Sequence, residues 1–471
     1  MVAIVMIVLG YMGINAQVTT SALSGQVTEP DGEPIIGASV VAIHQPSGTR
    51  YATVTNLDGY YAIDGMRTGG PYEITYSFVG KQSVILDDIN LELGEMTRLD
   101  IYLEDNVTQL NEVVVRGKGS RFIQAKTGAT TNISNAMMQA MPTVNRSISD
   151  IAKLSPYSNG MSFAGADGRS TNFTIDGANF NNNFGLSSNL PGGGNPISLD
   201  AIDEMQIVIS PFDVRQTNFI GGGINAITKS GTNTFKGSAY VYYTDQTLTG
   251  NRINGKELGN KADASRTIAG FTVGGPILKN KLFFFANYEH EANPGEVIKY
   301  MACAPGMTPG GMVSRTTTAD MKRVSDHLMS KYNYDPGSYT NFPGDESNNR
   351  FLVRLDWNIT DKHRAAFRFN YTKNVAWNGP NGNSSDTGYR LNNTYRVGTQ
   401  SMAFANSMYS MENAVTSFSL DLNSRFSDKV SNQLLATYTF IKDMRGTNSS
   451  PFPFIDIMAG WNENGTPILE P

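Results

Sequence analysis

The chain has 471 residues, enough for two or three domains, and its 37 basic and 42 acidic side chains give a formal net charge of −5. This balance argues against a nucleic-acid-binding protein, which would gather a basic excess on one face. The one cysteine, Cys303, excludes a disulfide framework and a cysteine metal site, and we interpret it as a buried or loop thiol.

The first 16 residues are apolar, but they are too few to cross a bilayer as a helix. We interpret residues 1–16 as a signal peptide, because the polar run from Gln17 has the composition of a mature start. No Lys or Arg precedes the apolar run, and Ile14 stands where a small residue is preferred. A buried apolar strand is therefore the alternative.

Residues 21–105, the N-terminal module below, contain only short alternating runs bounded by turn residues. This pattern predicts about seven strands and a small β-sandwich that buries its own core. The predicted strands are 25–27, 38–44, 50–55, 60–63, 72–79, 82–86 and 98–103.

Residues 106–121 form a polar, glycine-flanked linker with one apolar core, Val113 to Val115. Three consecutive valines favour an extended backbone, whose unpaired groups can add a strand to a partner's sheet. An ordinary edge strand of a neighbouring domain is the alternative.

Residues 122–232, the central body below, combine two predicted helices with short strands. Ser147 with Asp150 three residues later is a variant of the capping box. Glycines interrupt the strands, so the conformational entropy lost on folding exceeds the free energy that burial of a small core provides. We therefore predict an α+β body that surrounding structure holds in place. The predicted helices are 134–141 and 147–154, and the strands are 173–175, 205–209 and 223–229.

From residue 233 onward, apolar and polar residues alternate regularly; in strand 350–359, Phe351 and Trp357 alternate with Arg350 and Arg354. One face of such strands is expected to meet lipid and the other water, and tight turns on one rim with long loops on the other are typical of an outer-membrane β-barrel. A soluble sandwich with one polar face is the alternative. The predicted strands are 234–244, 267–275, 282–291, 350–359, 363–372, 416–426 and 430–441.

Three separated segments also carry a family resemblance: DGRSTNFTIDGANFNN, ISLDAIDEMQIVISPFDVR and GGGINAITKSGTNTFKG. In this order they resemble the plug domain of TonB-dependent outer-membrane receptors, in particular the Oar-like branch. The N-terminal module, with TNLDGYYAIDGM, is similar to the carboxypeptidase regulatory-like domain that often precedes such receptors.

The resemblance implies a mainly β fold, with an N-terminal β-sandwich, a small α+β plug and a transmembrane β-barrel in the outer membrane of a Gram-negative bacterium. A barrel with a plugged lumen has about 22 strands. Residues 233–471 are therefore interpreted as a partial barrel of about seven strands, and the chain as an N-terminal fragment.

The resemblance also assigns site residues. In the linker, Leu110, Glu112, Val113, Val114 and Val115 resemble the TonB box, which pairs edge to edge with a TonB-type energy-transducing periplasmic protein.

In the central body, four charges are expected to form ion pairs with the barrel wall, because unpaired burial is costly. They are Asp167, Arg169, Asp176 and Arg215.

The loop 179–194 is amide-rich and aromatic, which suits an extracellular ligand; a plain disordered loop is the alternative. Its candidate contacts are Asn179, Phe180, Asn181 and Phe184. The Asp/Asn cluster at 176–183 lacks the ligand spacing of a calcium loop, so no metal is predicted.

The implied function is that of a receptor that takes up a ligand by TonB-coupled displacement of the plug. Its expected partners are the TonB-type protein, outer-membrane lipid and an unidentified glycan, peptide or siderophore, with no cofactor. A non-transporting adhesin or structural receptor on the same scaffold is the alternative.

An enzyme ranks third, because the chain has no Gly-x-Ser-x-Gly turn, phosphate loop or paired histidine ligands. In the motif opened by His290 and Glu291, Pro294 stands where a zinc site would need a second imidazole. All four histidines are interpreted as surface or loop residues: His44, His290, His327 and His363.

Overall fold

The computed structural model describes three connected parts: the N-terminal module, the central body and a long antiparallel sheet. The described residues are 18–105, 115–118, 129–141, 143, 146–181, 190–191, 193–209, 216, 220–248, 250, 252–257, 265–380, 396–399, 401–427, 430–457, 460–461 and 467–468. The predicted signal peptide lies outside them.

The N-terminal module is a sandwich of two sheets, as predicted. One sheet has the order β4-β1-β7, with β8 also paired to β1, and the other has the order β3-β2-β5-β6-β9. Inward residues such as Leu23 and Tyr72 are fully buried between the sheets. The strands are β1 (Ser21–Thr28), β2 (Ser39–His44), β3 (Thr49–Val54), β4 (Tyr60–Met66), β5 (Gly69–Ser77), β6 (Val84–Leu91), β7 (Met96–Arg98), β8 (Ile101–Tyr102) and β9 (Val115–Lys118).

His44 corrects one prediction, because it is neither a surface nor a loop residue. It ends β2 on the inward face, is 6% exposed, and its Nδ1 lies 2.7 Å from Ser47 Oγ. Its ring also packs against that of Tyr72. The alternation of β2 directs every second side chain inward, and this rule overrides the polarity of the imidazole.

The central body is built on a five-stranded sheet of order β10-β15-β16-β13-β14. Ser147 caps the second helix by accepting a hydrogen bond from the Asp150 N–H at 3.2 Å, as the capping pattern predicted. The elements are β10 (Ala129–Ser134), α1 (Asn135–Ala140), α2 (Ile148–Ala152), β11 (Ser158–Asn159), β12 (Ser162–Phe163), β13 (Asn172–Ile175), β14 (Ala178–Asn179), β15 (Ile202–Ile209) and β16 (Gly222–Thr228).

The remaining sheet, called the wall sheet, contains the seven strands that alternation predicted. Its order is β17-β20-β21-β24-β25-β26-β27, with neighbours antiparallel. Its short turns, at 279–281 and 359–362, share one end, called the turn rim. The strands are β17 (Lys236–Asp245), β20 (Ser265–Leu278), β21 (Leu282–Asn293), β24 (Glu346–Asn358), β25 (His363–Asn378), β26 (Tyr409–Ser427) and β27 (Val430–Gly446).

The end opposite the turn rim carries elements that the alternation did not predict. The stretch 292–348 contains a two-stranded pairing and the helix α3 (Thr318–Tyr332), which Thr317 caps and Asn333 ends in a left-handed conformation. The other short strands are β18 (Arg252–Ile253), β19 (Lys256–Glu257), β22 (Met301–Cys303), β23 (Val313–Thr317), β28 (Gly460–Trp461) and β29 (Pro467–Ile468). Within the described residues, no helix combines the length and apolar composition needed to cross a bilayer.

The central body covers the polar face of the wall sheet from β21 to β26, which corrects the expectation that this face meets water; the edge strands β17 and β27 have no buried residue. On β24, Arg350 is 3% exposed, whereas the outward Trp357 is 51% exposed. The wall residues Phe285, Leu352 and Val415 belong to the same buried cluster as the central body's own core. The wall sheet therefore completes the core of the central body.

Candidate functional site

Asp176 lies at the tip of a two-residue hairpin between β13 and β14. Asp176 and Gly177 both have positive φ, at 49° and 79°, while Ile175 pairs with Ala178. An Asp-Gly pair adopts this tight turn readily, because glycine bears no Cβ and aspartate tolerates the left-handed region. The hairpin holds the Asp176 carboxylate, whose residue is 2% exposed, against the wall sheet.

The central body itself orients this carboxylate. The N–H of Thr228 donates to Asp176 Oδ1 at 3.1 Å, and the Thr228 hydroxyl donates to Oδ2 at 2.6 Å. On the wall sheet, Ser419 Oγ donates to the backbone carbonyl of Asp176 at 3.2 Å. These bonds fix the carboxylate before any charge on the wall is considered.

Two wall arginines face Asp176. Arg354 and Arg368 are directly opposite each other on β24 and β25, and they are 7% and 5% exposed. Like charges directly opposite each other in a sheet repel, and burial worsens that cost. The Asp176 carboxylate lies 3.7 Å from Arg354 Nη1 and 3.4 Å from Arg368 Nε, so it offsets both charges.

Two wall aspartates complete the neutralisation. Asp356 accepts hydrogen bonds from Arg354 Nε and Nη2, both at 2.9 Å, and Asp421 Oδ2 lies 3.7 Å from Arg368 Nη1. A cavity of about 930 Å³ adjoins the group and is lined in part by Arg354, Asp356, Arg368 and Asp421. All four side chains are buried beside the cavity, at 3–7% exposure, so movement of the surrounding parts is needed to hydrate them.

A second polar contact joins the two parts further from the turn rim. Arg350 Nη2 donates to Glu291 at 2.7 Å, and Arg350 also binds Glu289. Arg350 Nε donates to the carbonyl of Asn195 in the central body at 2.7 Å, and Ser198 Oγ donates to Glu289 at 2.8 Å. The central body is thus held at two heights by hydrogen bonds and ion pairs.

The other predicted charges occupy different positions. Asp167 and Arg169 pair with each other at 2.6 Å, and both side chains are half exposed. This pair lies within the central body, where the Asp167 carboxylate also accepts from the N–H of Arg169. Arg215 lies outside the described residues.

The predicted ligand loop is largely structural where it is described. Phe180 is 1% exposed within the core of the central body and packs edge-on against Phe173. Asn179 Oδ1 accepts from the N–H of Asn181, and Asn181 Oδ1 accepts from the N–H of Phe173, both at 2.7 Å. Burial keeps Phe180 from an outside ligand, whereas Asn179 and Asn181 are partly exposed and their contact with a ligand stays a prediction. Phe184 lies outside the described residues.

The linker prediction falls mainly outside the described residues, which exclude Leu110, Glu112, Val113 and Val114. Val115 begins β9, which runs parallel to β6 with Val115 opposite Val84. Val115 thus lies in an edge strand of the neighbouring N-terminal sandwich, which is the alternative that the sequence left open.

Sequence reasoning missed the wall partners of Asp176, Arg354 and Arg368. It also missed Asp356 and Asp421, which pair with these arginines. Their inward alternation was visible, but no local signal says which inward charge meets Asp176. Among the described residues, no group of three or more His, Cys, Asp and Glu side chains could hold a metal ion.

Comparison with known proteins gives matches to two domain models and to TonB-dependent outer-membrane proteins. A model of the carboxypeptidase regulatory-like domain matches residues 22–104, and a model of an outer membrane beta barrel domain matches residues 227–305. The TonB-dependent transporter Oar of Myxococcus xanthus is 24% identical over 390 residues, which cover 76% of this chain and 34% of Oar. The chain is homologous to Oar over about three quarters of its length.

Other proteins match a smaller share of this chain than Oar does. The TonB-dependent receptor SusC of Bacteroides thetaiotaomicron is 30% identical over 123 residues, covering 26% of this chain and 11% of SusC. Among solved structures, the outer membrane transporter YddB of Escherichia coli gives a TM-score of 0.46 at 12% identity, covering 68% of this chain and 40% of YddB. The siderophore receptor PirA of Pseudomonas aeruginosa gives a TM-score of 0.42 at 14% identity, covering 68% of this chain and 42% of PirA.

The match to the outer membrane beta barrel domain and the homology to Oar indicate an outer-membrane protein. Oar is named as a TonB-dependent transporter and SusC as a TonB-dependent receptor. The chain spans about a third of the length of Oar, 34%, so its own cargo and partners are matters for proposal.

Proposed function

We propose that this receptor takes up an extracellular ligand by displacement of the central body, acting as a plug, under force from a TonB-type periplasmic protein. The observation that carries the proposal is the ionic contact of Asp176 with Arg354 and Arg368. Buried ion pairs fix a position, yet contribute little net stability, because separated charges regain hydration. The adjoining cavity supplies a route for that water.

The connection to the linker also supports displacement. β10, the first described strand after the linker, lies at the edge of its sheet and pairs only with β15 among the described strands. Tension on the linker would therefore reach one edge strand first, and this strand can detach while the pairs β15-β16 and β16-β13 persist. A partial opening costs less than unfolding the whole body.

The partner contact would be strand addition at residues 110–115. Val115 is paired with β6 in β9, so the proposal requires this pairing to be exchanged for pairing with the partner. Glycan, peptide and siderophore ligands remain open for the extracellular side.

The test compares two substitutions at Val114 in the full-length protein. Val114→Pro removes a backbone donor and should abolish binding of the purified periplasmic domain of the TonB-type protein, whereas Val114→Thr keeps the backbone and should bind like the parent. Calorimetry measures the binding.

Uptake is tested in cells. A strain lacking the receptor is screened on polysaccharides, peptides and iron chelates, and the growth defect found is then tested for complementation by each variant. Complementation by Val114→Thr but not by Val114→Pro supports coupled transport. Equal complementation by both would contradict it, and cell-surface attachment that survives Val114→Pro without any growth defect would favour the adhesin.

A further inference from the structure

The N-terminal module is docked on the turn rim of the wall sheet. Its edge strand β3 presents the carbonyls of Arg50 and Ala52, which accept hydrogen bonds from Arg364, at 2.7 Å, and from Arg425. The Arg364 guanidinium also lies 3.9 Å from the ring centre of Tyr51. A free strand edge needs partners, and here two wall arginines supply them.

Shorter side chains and backbone add to this contact. Asn358 Nδ2 donates to Thr49 Oγ1 at 3.0 Å, and the N–H of Asn233 donates to the carbonyl of Pro46 at 2.8 Å. The contact therefore extends across the turn rim from β25 and β26 to the start of β17.

The module also closes both ends of the ionic group around Asp176. At one end, Arg67 Nη2 lies 3.7 Å from Asp356, the partner of Arg354. At the other end, the hydroxyl of Thr19, which directly precedes the module and moves with its first strand, donates to Asp421 Oδ2 at 2.7 Å, and Asp421 faces Arg368. The charges of Arg67, Asp356, Arg354, Asp176, Arg368 and Asp421 alternate in sign along one path, which ends at the neutral hydroxyl of Thr19.

The module contacts the central body directly as well. Arg67 Nη1 donates to Ser230 Oγ at 3.2 Å, and Gln206 Nε2 donates to the carbonyl of Leu93 at 2.6 Å. The N–H of Leu93 donates to Glu204 Oε1 at 3.0 Å. Every one of these contacts must break before the central body can move past the module.

We propose that the N-terminal module is a clamp that keeps the central body seated, and that its release from the turn rim loosens the contact of Asp176 with the wall. Without the module, Asp356 loses Arg67 and Asp421 loses Thr19, while water enters beside both carboxylates. Hydration of these carboxylates weakens their hold on Arg354 and Arg368, and through them on Asp176. The consequence for uptake rests on the proposed function, whereas the clamp itself is measurable without cargo or TonB-type protein.

The test uses the full-length protein in isolated outer membranes, with Cys303→Ser to remove the native thiol. Ser419→Cys is the reporter, because Ser419 is 3% exposed and touches Asp176, so a charged maleimide reaches it only when the hairpin moves away. The clamp variant is Arg364→Ala with Arg425→Ala, two arginines that hold β3 but stand outside the ionic path. The matched control is Arg445→Ala, whose guanidinium lies over Tyr409 far from the turn rim.

The clamp variant should label at least tenfold faster than the parent, and the control should label within twofold of it. Heat-modifiable gel migration verifies that each barrel is folded. A labelling rate in the folded clamp variant equal to that of the control would overturn the proposal.

A second pair of cysteines tests docking itself. In the same reporter protein, Thr49→Cys with Asn358→Cys should form a disulfide on oxidation, and the locked protein should label more slowly than after reduction. A folded protein that forms no disulfide, or that labels equally in both states, would contradict the clamp. Because neither assay involves transport, failure of TonB-coupled uptake would leave these results unchanged.

Discussion

The N-terminal module and the central body bury their apolar residues in different ways. The main core of the module draws all its members from the module itself, and only the small cluster of Val18, Leu93 and Ile227 reaches the central body. The core of the central body, by contrast, includes Phe285, Leu352 and Val415 of the wall sheet. The difference shows that one region satisfies its own burial and the other is completed by its surroundings. The position of the central body therefore depends on its contact with the wall sheet. The fold of the module does not depend on such a contact.

We expect the largest difference between the two regions in their thermal unfolding when each is expressed as a separate fragment. We expect residues 18–105 to fold alone with a cooperative thermal transition, because their core needs no outside residue. Residues 129–232 should show no such transition, since they lose the wall's apolar residues and leave Asp176 without its arginines. Circular dichroism melting distinguishes the two, and a cooperative melt of the second fragment would erase the contrast.

Removal of the central charge should have the next largest effect. Asp176→Ala leaves Arg354 and Arg368 facing each other in a buried site, so we expect the central body to lose about 3–5 kcal/mol of local stability. Hydrogen exchange of the amides of residues 173–175 in the full-length protein measures this loss.

The matched control is Asp167→Ala, which removes an exposed aspartate from the same body. Its exchange rates should stay at the parent's values. Similar hydrogen-exchange rates in the Asp167→Ala and Asp176→Ala variants would mean that Asp176 is not needed to offset the charges of the two wall arginines.

Loss of one apolar wall residue tests the shared core. Leu352 is 2% exposed and belongs to the core of the central body, so Leu352→Ala should cost that body about 3 kcal/mol. The amides of residues 205–207 report the change by hydrogen exchange. Leu355→Ala, on the outward face of the same strand, should leave those amides unaffected, and equal effects would contradict a shared core.

Acid should weaken the module by a smaller amount. Burial, followed by the nearby charge of Arg67, lowers the pKa of His44 from 6.5 to about 3. The unfolded chain therefore takes up a proton as pH falls below 6.5 while the folded module does not, so stability is lost from about pH 6.5 downward. At pH 5 the loss is about 2 kcal/mol.

Hydrogen exchange of the amides of residues 40–42 at pH 7 and pH 5 tests this expectation. His44→Gln removes the titrating group and should abolish its share of the loss, while His327→Gln, at an exposed site, should retain it. An identical pH response in all three proteins would show that His44 titrates normally.

The sequence by itself determined the local elements. Alternation defined the seven strands of the wall sheet and the strands of the sandwich, and Ser147 marked the start of a helix. The same alternation places His44 on the inward face of β2. We expected it at the surface because we weighted its polarity more than its position in the strand. The helix α3 was missed inside a stretch interpreted as a loop.

Only the tertiary structure decided which charges meet. Asp176 is separated from Arg354, Arg368 and Asp421 by well over a hundred residues of sequence, and each of them looks like any other inward polar residue of its strand. Strand periodicity is a property of neighbouring backbone units, so it can be read locally. The pairing of buried charges depends instead on how three separately folded parts come together, because its energy depends on distance and on the exclusion of water.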